Sequence, residues 1–310
     1  MTTMTSTKRP FQISKIIVPI ITIGILVVLW RWNIKWATIP VIVFVLFYLL
    51  LLPGIVRRRT EKFNRKALML LTSGKAKALP GLVKRSVLLQ LFGPRGPLDA
   101  KLALAYVQCE EYRTAIACFE SGIPTASPTE RVALQSGLAK ALFAVGDLAR
   151  AEAEAKAIVE NITRLPELLV ILARSRIGLG KLDDQTRGYL DEAETLSPSS
   201  DVALMITLSR IELALMTGRK APAFPEHADS TSKLVRTWIH WVRGLVRLQK
   251  EDAEKAAESF RKAKKTLPSC FASMAADEKL EEIADEKEQG DDIQNGKVDP
   301  AIRRKKHRRR

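Results

Sequence analysis

Three histidines, three cysteines and a scatter of carboxylates are the groups in this chain that could carry reaction chemistry. His227 lies in a proline-rich stretch, His240 in a helical pattern and His307 in the basic C-terminal end. None stands at metal-ligand spacing from a cysteine or carboxylate cluster. Cys109, Cys118 and Cys270 contain no C-x-x-C pair and, being odd in number, no disulfide framework. They read as buried or half-buried thiols on helices. The pairs Asp183, Asp184 and Asp291, Asp292 read as solvated turns. The P-loop, the glycine-rich dinucleotide fingerprint and the nucleophile elbow are all missing. The sequence thus predicts no catalytic residue, no metal site and no cofactor, and the chain reads as a binding protein rather than an enzyme.

Charge is the stronger signal. The net charge is +16, unevenly placed. Residues 57–95 hold eleven basic residues and one acid, and the last eight residues add seven positive charges. With five more before residue 57, the body from 96 to 302 is left mildly acidic. The end Arg303, Arg304, Lys305, Lys306, Arg308, Arg309 and Arg310 calls for an anionic partner: lipid headgroups, nucleic acid or an acidic protein face. The acidic stretch 277–288 just before it could supply that face internally. No aromatic residues interleave these cations, so nothing favours base stacking.

The elements that position these charges begin with two uncharged apolar runs, Ile16–Trp30 and Ala37–Val56. The second has 20 residues, enough to cross a hydrocarbon core of about 30 Å as a helix. The first has 15 and needs Lys15 and Arg31 to snorkel. Trp30, Trp32 and Trp36 cluster between them like an interfacial belt. Basic residues before the first run and after the second then place both termini in the cytoplasm. The expectation is a membrane hairpin with a bilayer as its first partner.

Beyond it, amphipathic helix pairs recur. The best-preserved is Thr237–Pro268, with Gly244 on a first helix, Ala256, Phe260 and Ala263 on one face of a second, and Pro268 as a stop. Ala103, Tyr106, Ala115 and Phe119 repeat the pattern from residue 96. Ala139, Leu142, Gly146 and Ala151 repeat it from 132, and Leu172, Ala173, Gly180 and Tyr189 from 166. The segment 60–95 reads as a degenerate copy, with Phe63, Ala67 and Leu70 before a Gly74 turn and a second helix broken at Pro80. In 200–232 a clear first helix is followed by Pro222 and Pro225, which forbid a regular second one. Spacing and residue types resemble the tetratricopeptide repeat, a helix–turn–helix unit of about 34 residues. The overall layout is similar to that of HemY-type inner-membrane proteins.

The resemblance implies an all-α chain: a transmembrane helical hairpin followed by a solenoid of stacked helical hairpins. The expected divisions are a cytoplasmic tail 1–15, the membrane hairpin 16–56, a basic juxtamembrane segment 57–95, repeats 96–268, a capping helix 269–289 and a polybasic, disordered tail 290–310. In this family the first helices of the units line a groove that holds a peptide or partner helix. The matching positions here are Gln108, Lys140, Phe143, Arg174, Ile177, Trp241 and Leu248. Lys140 and Arg174 would together grip a carboxylate, or be two ordinary exposed cations. Trp238 and Trp241 would pack between units or anchor a partner. The expected function is a scaffold that recruits protein partners at the cytoplasmic face of a bacterial inner membrane. The alternative is a membrane tether for RNA, ribosomes or anionic lipid through the C-terminal cations.

Overall fold

The computed structural model describes residues 52–93, 95–196, 198–225 and 227–294, with the isolated positions Gly24, Arg31 and Val43. The expected membrane hairpin therefore lies outside the described residues except at its C-terminal end. Among the described residues no helix is long and apolar enough to cross a membrane. The C-terminal cations 303–310 also lie outside them. All regular structure among the described residues is helical. The chain divides into two compact units, 1–109 and 110–310. That boundary falls inside the segment expected to be the first well-formed repeat.

The first unit is built on α1 (Leu52–Thr72), which runs without a break from the end of the apolar run into the basic segment. After it come α2 (Leu79–Arg85), α3 (Val87–Phe92) and α4 (Arg95–Gln108). Phe63 and Ala67 are one turn apart on α1 and lie buried with Leu79, Leu89, Leu98 and Ala105. The second helix of the degenerate copy is indeed short: Pro80 sits at the start of α2, where its missing N–H is harmless.

In the second unit, α5 (Tyr112–Gly122), α6 (Pro128–Val145), α7 (Leu148–Asn161), α8 (Pro166–Gly178) and α9 (Asp184–Thr195) follow in antiparallel hairpins. Then come α10 (Ser200–Met216), α11 (Lys233–Gln249), α12 (Ala253–Thr266) and α13 (Phe271–Gln294). The boundaries have local causes. Ser127 and Glu130 form a capping box at α6. Asp147, Asp183 and Asp252 cap α7, α9 and α12 with their carboxylates. The left-handed turn at Gly146 (φ 89°) ends α6.

Two layers result. An inner layer runs α6, α8, α10, α11, α13, each packed on the next, and α13 returns to pack on α6. The solenoid pattern thereby closes on itself. In the outer layer, α7 lies across α6 and α8, α9 across α8 and α10, and α12 across α11 and α13, while α5 packs on α6. Closure is made by Phe271 and Met274 of α13, which cover the Gly146 turn: a Cβ there would stand 3.2 Å from each. Glu110 pins the start of α11, accepting from the backbone N–H of Lys233 (3.0 Å) and from its Nζ (2.7 Å). The helix read as a polar cap at an open end is instead the element that joins the two ends.

The small-residue positions behave as the pattern requires. A Cβ on Gly244 would stand 2.3 Å from the fully buried ring of Phe260. Gly244→Ala is expected to lower stability by about 1–3 kcal/mol through overpacking. Gly188, exposed on α9 with nothing within 4 Å of its Cβ direction, is the control. Gly188→Ala should raise stability by up to about 1 kcal/mol from helix propensity alone. Urea unfolding of the two variants reads both signs.

Candidate functional site

Four of the seven expected groove positions are buried inside the second unit, and three are not. Phe143, Arg174, Ile177 and Trp241 are buried; Lys140 is exposed on α6 and Leu248 is half-buried on α11. Gln108 is exposed at the end of α4, in the first unit. The expected joint grip of Lys140 and Arg174 on a partner's carboxylate is corrected by the fold. Arg174 has its own carboxylate, with Nη2 2.8 Å from Glu212 Oε2, and both side chains are almost wholly removed from solvent.

The centre draws on every inner helix. From α6, Phe143 stacks on Trp238 of α11 with ring centroids 5.6 Å apart. Phe271 of α13 meets the same indole at 6.0 Å. From α8, the Arg174 guanidinium lies over the Trp238 ring, 3.5 Å from its centroid, a strong cation–π geometry in a desolvated site. From α10, Glu212 accepts from Arg174 through one oxygen and from Trp241 Nε1 (2.9 Å) through the other. Ser209 Oγ accepts from Arg174 Nη1 at 3.1 Å. Burial pulls the Arg174 guanidinium down to about 10, against the upward pull of Glu212. The tryptophans therefore pack between helices inside the second unit.

A second network lies nearer the surface. Arg176 reaches Glu152 of α7 (3.0 Å), Asp183 (2.5 Å) and Thr186 Oγ1 (3.0 Å), and Lys181 reaches the other oxygen of Glu152 (2.6 Å). It locks α7, α8 and α9 together. Cys118 is half-buried on α5, as expected, whereas half-buried Cys109 and buried Cys270 lie in turns rather than on helices. Among the described residues no group of three histidine, cysteine or acidic side chains could hold a metal ion.

The sequence reading missed Glu212, Ser209 and Phe271. A signal existed: Val202, Met205, Ser209 and Glu212 fall at i, i+3, i+7 and i+10, so Glu212 lies on the buried stripe of α10. A carboxylate on such a stripe implies a buried cation elsewhere. Arg174, in a helix buried from Leu168 to Ile177, is that cation.

The first unit carries a different surface. Arg58, Lys62, Arg65 and Met69 fall at i, i+4, i+7 and i+11, one exposed strip of α1 opposite buried Phe63 and Ala67. From 57 to 85 there are ten basic side chains, all exposed, and one acid, Glu61, which pairs with Arg57 at 3.4 Å. Leu68, Met69, Val87 and Leu91, also of this unit, are each more than half exposed.

Fold and site together define an all-helical, repeat-like stack of hairpins. No family model, curated protein or solved structure matches the chain.

Two measurements test the centre. Glu212→Leu should lower stability by about 3–5 kcal/mol, because it strands a buried guanidinium. The double variant Arg174→Met/Glu212→Leu should recover most of that loss, and additive losses in the cycle would disprove the coupling. His240, half-buried on α11, has its pKa held below the ordinary value by burial first and then by Arg243, Lys262 and Arg236, with Asp229 pulling the other way. Its stability contribution is full above the ordinary value of about 6.5 and is lost as pH falls through the depressed one. The melting temperature should therefore fall between about pH 7 and pH 5, and fall less in His240→Gln.

Proposed function

We propose that this chain is a membrane-anchored scaffold of tetratricopeptide-like build. The runs 16–30 and 37–56 span the bilayer as a hairpin with both termini in the cytoplasm, at the inner membrane of a bacterium. The first unit seats its basic side on anionic headgroups, and the second presents its exterior to a protein partner.

The observation that carries this reading is the basic surface of the first unit. Ten exposed cations with a single acid follow at once on a 20-residue apolar run. Each cation near an anionic leaflet contributes about 1 kcal/mol. The exposed Leu68, Met69, Val87 and Leu91 suit the headgroup boundary, where apolar side chains and cations are both accommodated. The continuous helix Leu52–Thr72 carries the last five residues of the apolar run, 52–56, directly into the basic segment.

Expression of the full chain in a bacterial host with green fluorescent protein after Arg310 tests the reading. The fusion should resist an alkaline carbonate wash of the membranes and should fluoresce, because this reporter matures on the cytoplasmic side. Carbonate extraction, or a membrane-bound but dark fusion, sinks the proposal. Changing Arg58, Lys62 and Arg65 together to Glu should reduce the fluorescent membrane fraction, since these charges help to fix the orientation.

A further inference from the structure

Among the described residues of the second unit, buried and half-buried arginines are paired, with two exceptions. Arg150, Arg174, Arg176, Arg187, Arg210 and Arg247 each stand within 4.0 Å of a carboxylate. Arg236 and Arg243 are half-buried on α11, and neither guanidinium has an ion pair or hydrogen bond among the described residues. Arg236 Nε is removed from solvent without a partner. Withdrawing a cation from water without a counter-charge is costly, so a partly buried guanidinium normally has an acid beside it.

Both exceptions lie on one strip. Arg236, His240, Arg243 and Arg247 fall at i, i+4, i+7 and i+11 of α11, opposite the buried Trp238, Trp241 and Val242. The strip is about 16 Å long, and two elements border it. From α12, Ser259 Oγ and the Lys255 carbonyl accept from Arg247, each at 2.8 Å. From the helix-free segment 217–232, Phe224 lies against the Arg243 guanidinium, 5.1 Å from ring centroid to carbon. That segment is fixed in turn, for Ser230 Oγ donates to Asp201 at 2.7 Å. The His240 imidazole is faced by Arg236 and Arg243 of its own helix, Lys262 of α12 and Asp229 of the segment, three cations to one acid. Lys262 is also held by Glu258 (2.6 Å), which leaves Arg236 and Arg243 as the unpaired cations.

We propose that this strip binds a phosphate monoester, with Arg236 and Arg243 closing on one dianion beside His240. The two arginines are about 10 Å apart along the helix axis, a gap that their long side chains bridge when an anion lies between them. A guanidinium fork matches the oxygens of a phosphate two at a time. A carboxylate or a phosphodiester brings one negative charge to two cations. A phosphate monoester brings close to two, with three acceptor oxygens. The imidazole responds to the same event, because an anion beside it offsets the three cations and restores its basicity. The site rests neither on membrane insertion nor on a protein partner.

The test titrates the full chain, held in phosphatidylcholine nanodiscs at constant ionic strength, with methyl phosphate and with dimethyl phosphate. At about pH 7.5 the monoester is a dianion. Calorimetry should show saturable binding of the monoester with Kd below about 1 mM, and binding of the diester weaker by about tenfold or more. Arg236→Gln/Arg243→Gln should weaken the monoester about tenfold or more. If that variant fails to fold, the wild-type His240 ring decides. Its titration midpoint by nuclear magnetic resonance should rise when methyl phosphate is added, with His240→Gln assigning the signal. Phosphatidic acid in the disc separates the two sources of a phosphate monoester. Unchanged binding of methyl phosphate assigns the site to a soluble ester, and its displacement assigns the site to the lipid headgroup.

Absence of saturable monoester binding to the wild type below about 1 mM overturns the proposal, as does binding that the double variant leaves unchanged. So does equal affinity for the two esters, which would make the strip a general polyanion surface of the kind a nucleic acid uses. A His240 midpoint that stays in place under saturating methyl phosphate puts the anion elsewhere and overturns it too. Failure of membrane anchoring would appear in the reporter fusion and leave this titration untouched.

Discussion

The second unit depends on one buried ion pair. Arg174 and Glu212 meet at 2.8 Å on adjacent inner helices, and each is also tied to the indoles of α11. Removing two charges from water costs several kcal/mol per ion, so such a pair returns little net stability compared with apolar residues of the same volume. What it supplies is register. A slide of α10 by one turn, about 5.4 Å, would carry Glu212 away from both Arg174 and Trp241 and strand a charge in the centre. An all-apolar centre would tolerate that slide far better. The aromatic contacts then extend the constraint outward: Trp238 to Phe143 and Phe271, and Trp241 to Phe260 at 5.4 Å. In this way one pair fixes the relation of all five inner helices.

Closure follows from the same centre. A stack of helical hairpins can continue as an open superhelix when each unit contacts only its neighbours. Here the first turn of α13 places Phe271 against Trp238 and over Gly146, so the last inner helix finds its apolar contacts on the first. Gly146 matters twice at this seam. Its left-handed backbone ends α6, and its missing side chain lets Phe271 and Met274 approach. The Glu110 contact with Lys233 adds a second tie between the beginning of the unit and α11.

Much of this was legible in the sequence, and the part that was not is long-range. Gly244 against Phe260, Pro80 at a broken helix, the Gly146 turn and the helix-free stretch 217–232 are local consequences of residue type, and each is where its residues predict. The closure of the stack is not local. A repeat pattern specifies how one hairpin meets the next, and it is silent on whether α13 returns to α6. Phe143, Arg174, Ile177 and Trp241, groove positions in an open superhelix, are therefore buried here. Arg174 could have been recognised as internal by its neighbours, since a helix apolar on every face is buried, and Glu212 by its place on the apolar stripe of α10. The two had to be read as a pair, across 38 residues, before either was informative.

A filled centre changes where recognition can happen. The concave surface that open stacks offer to peptides is filled here by the ion pair and the aromatic cluster, which leaves the outside of the second unit as its accessible surface. The exterior is not uniform. Basic side chains and exposed apolar ones are concentrated in the first unit, which suits a lipid surface. In the second unit, the outer layer lapses between α10 and α11 just where prolines forbid a helix. A loop has lower intrinsic order than a helix, and it leaves inner-layer apolar surface less well covered. Yet this segment is tied down by Phe224 and Ser230 rather than left to collapse into the gap. A gap that is merely a lost helix would be expected to fill with apolar side chains. This one is bordered instead by the exposed Arg219 and Lys220, and the helices that follow it, α11 and α12, are themselves basic, with ten cations to four acids over 233–266.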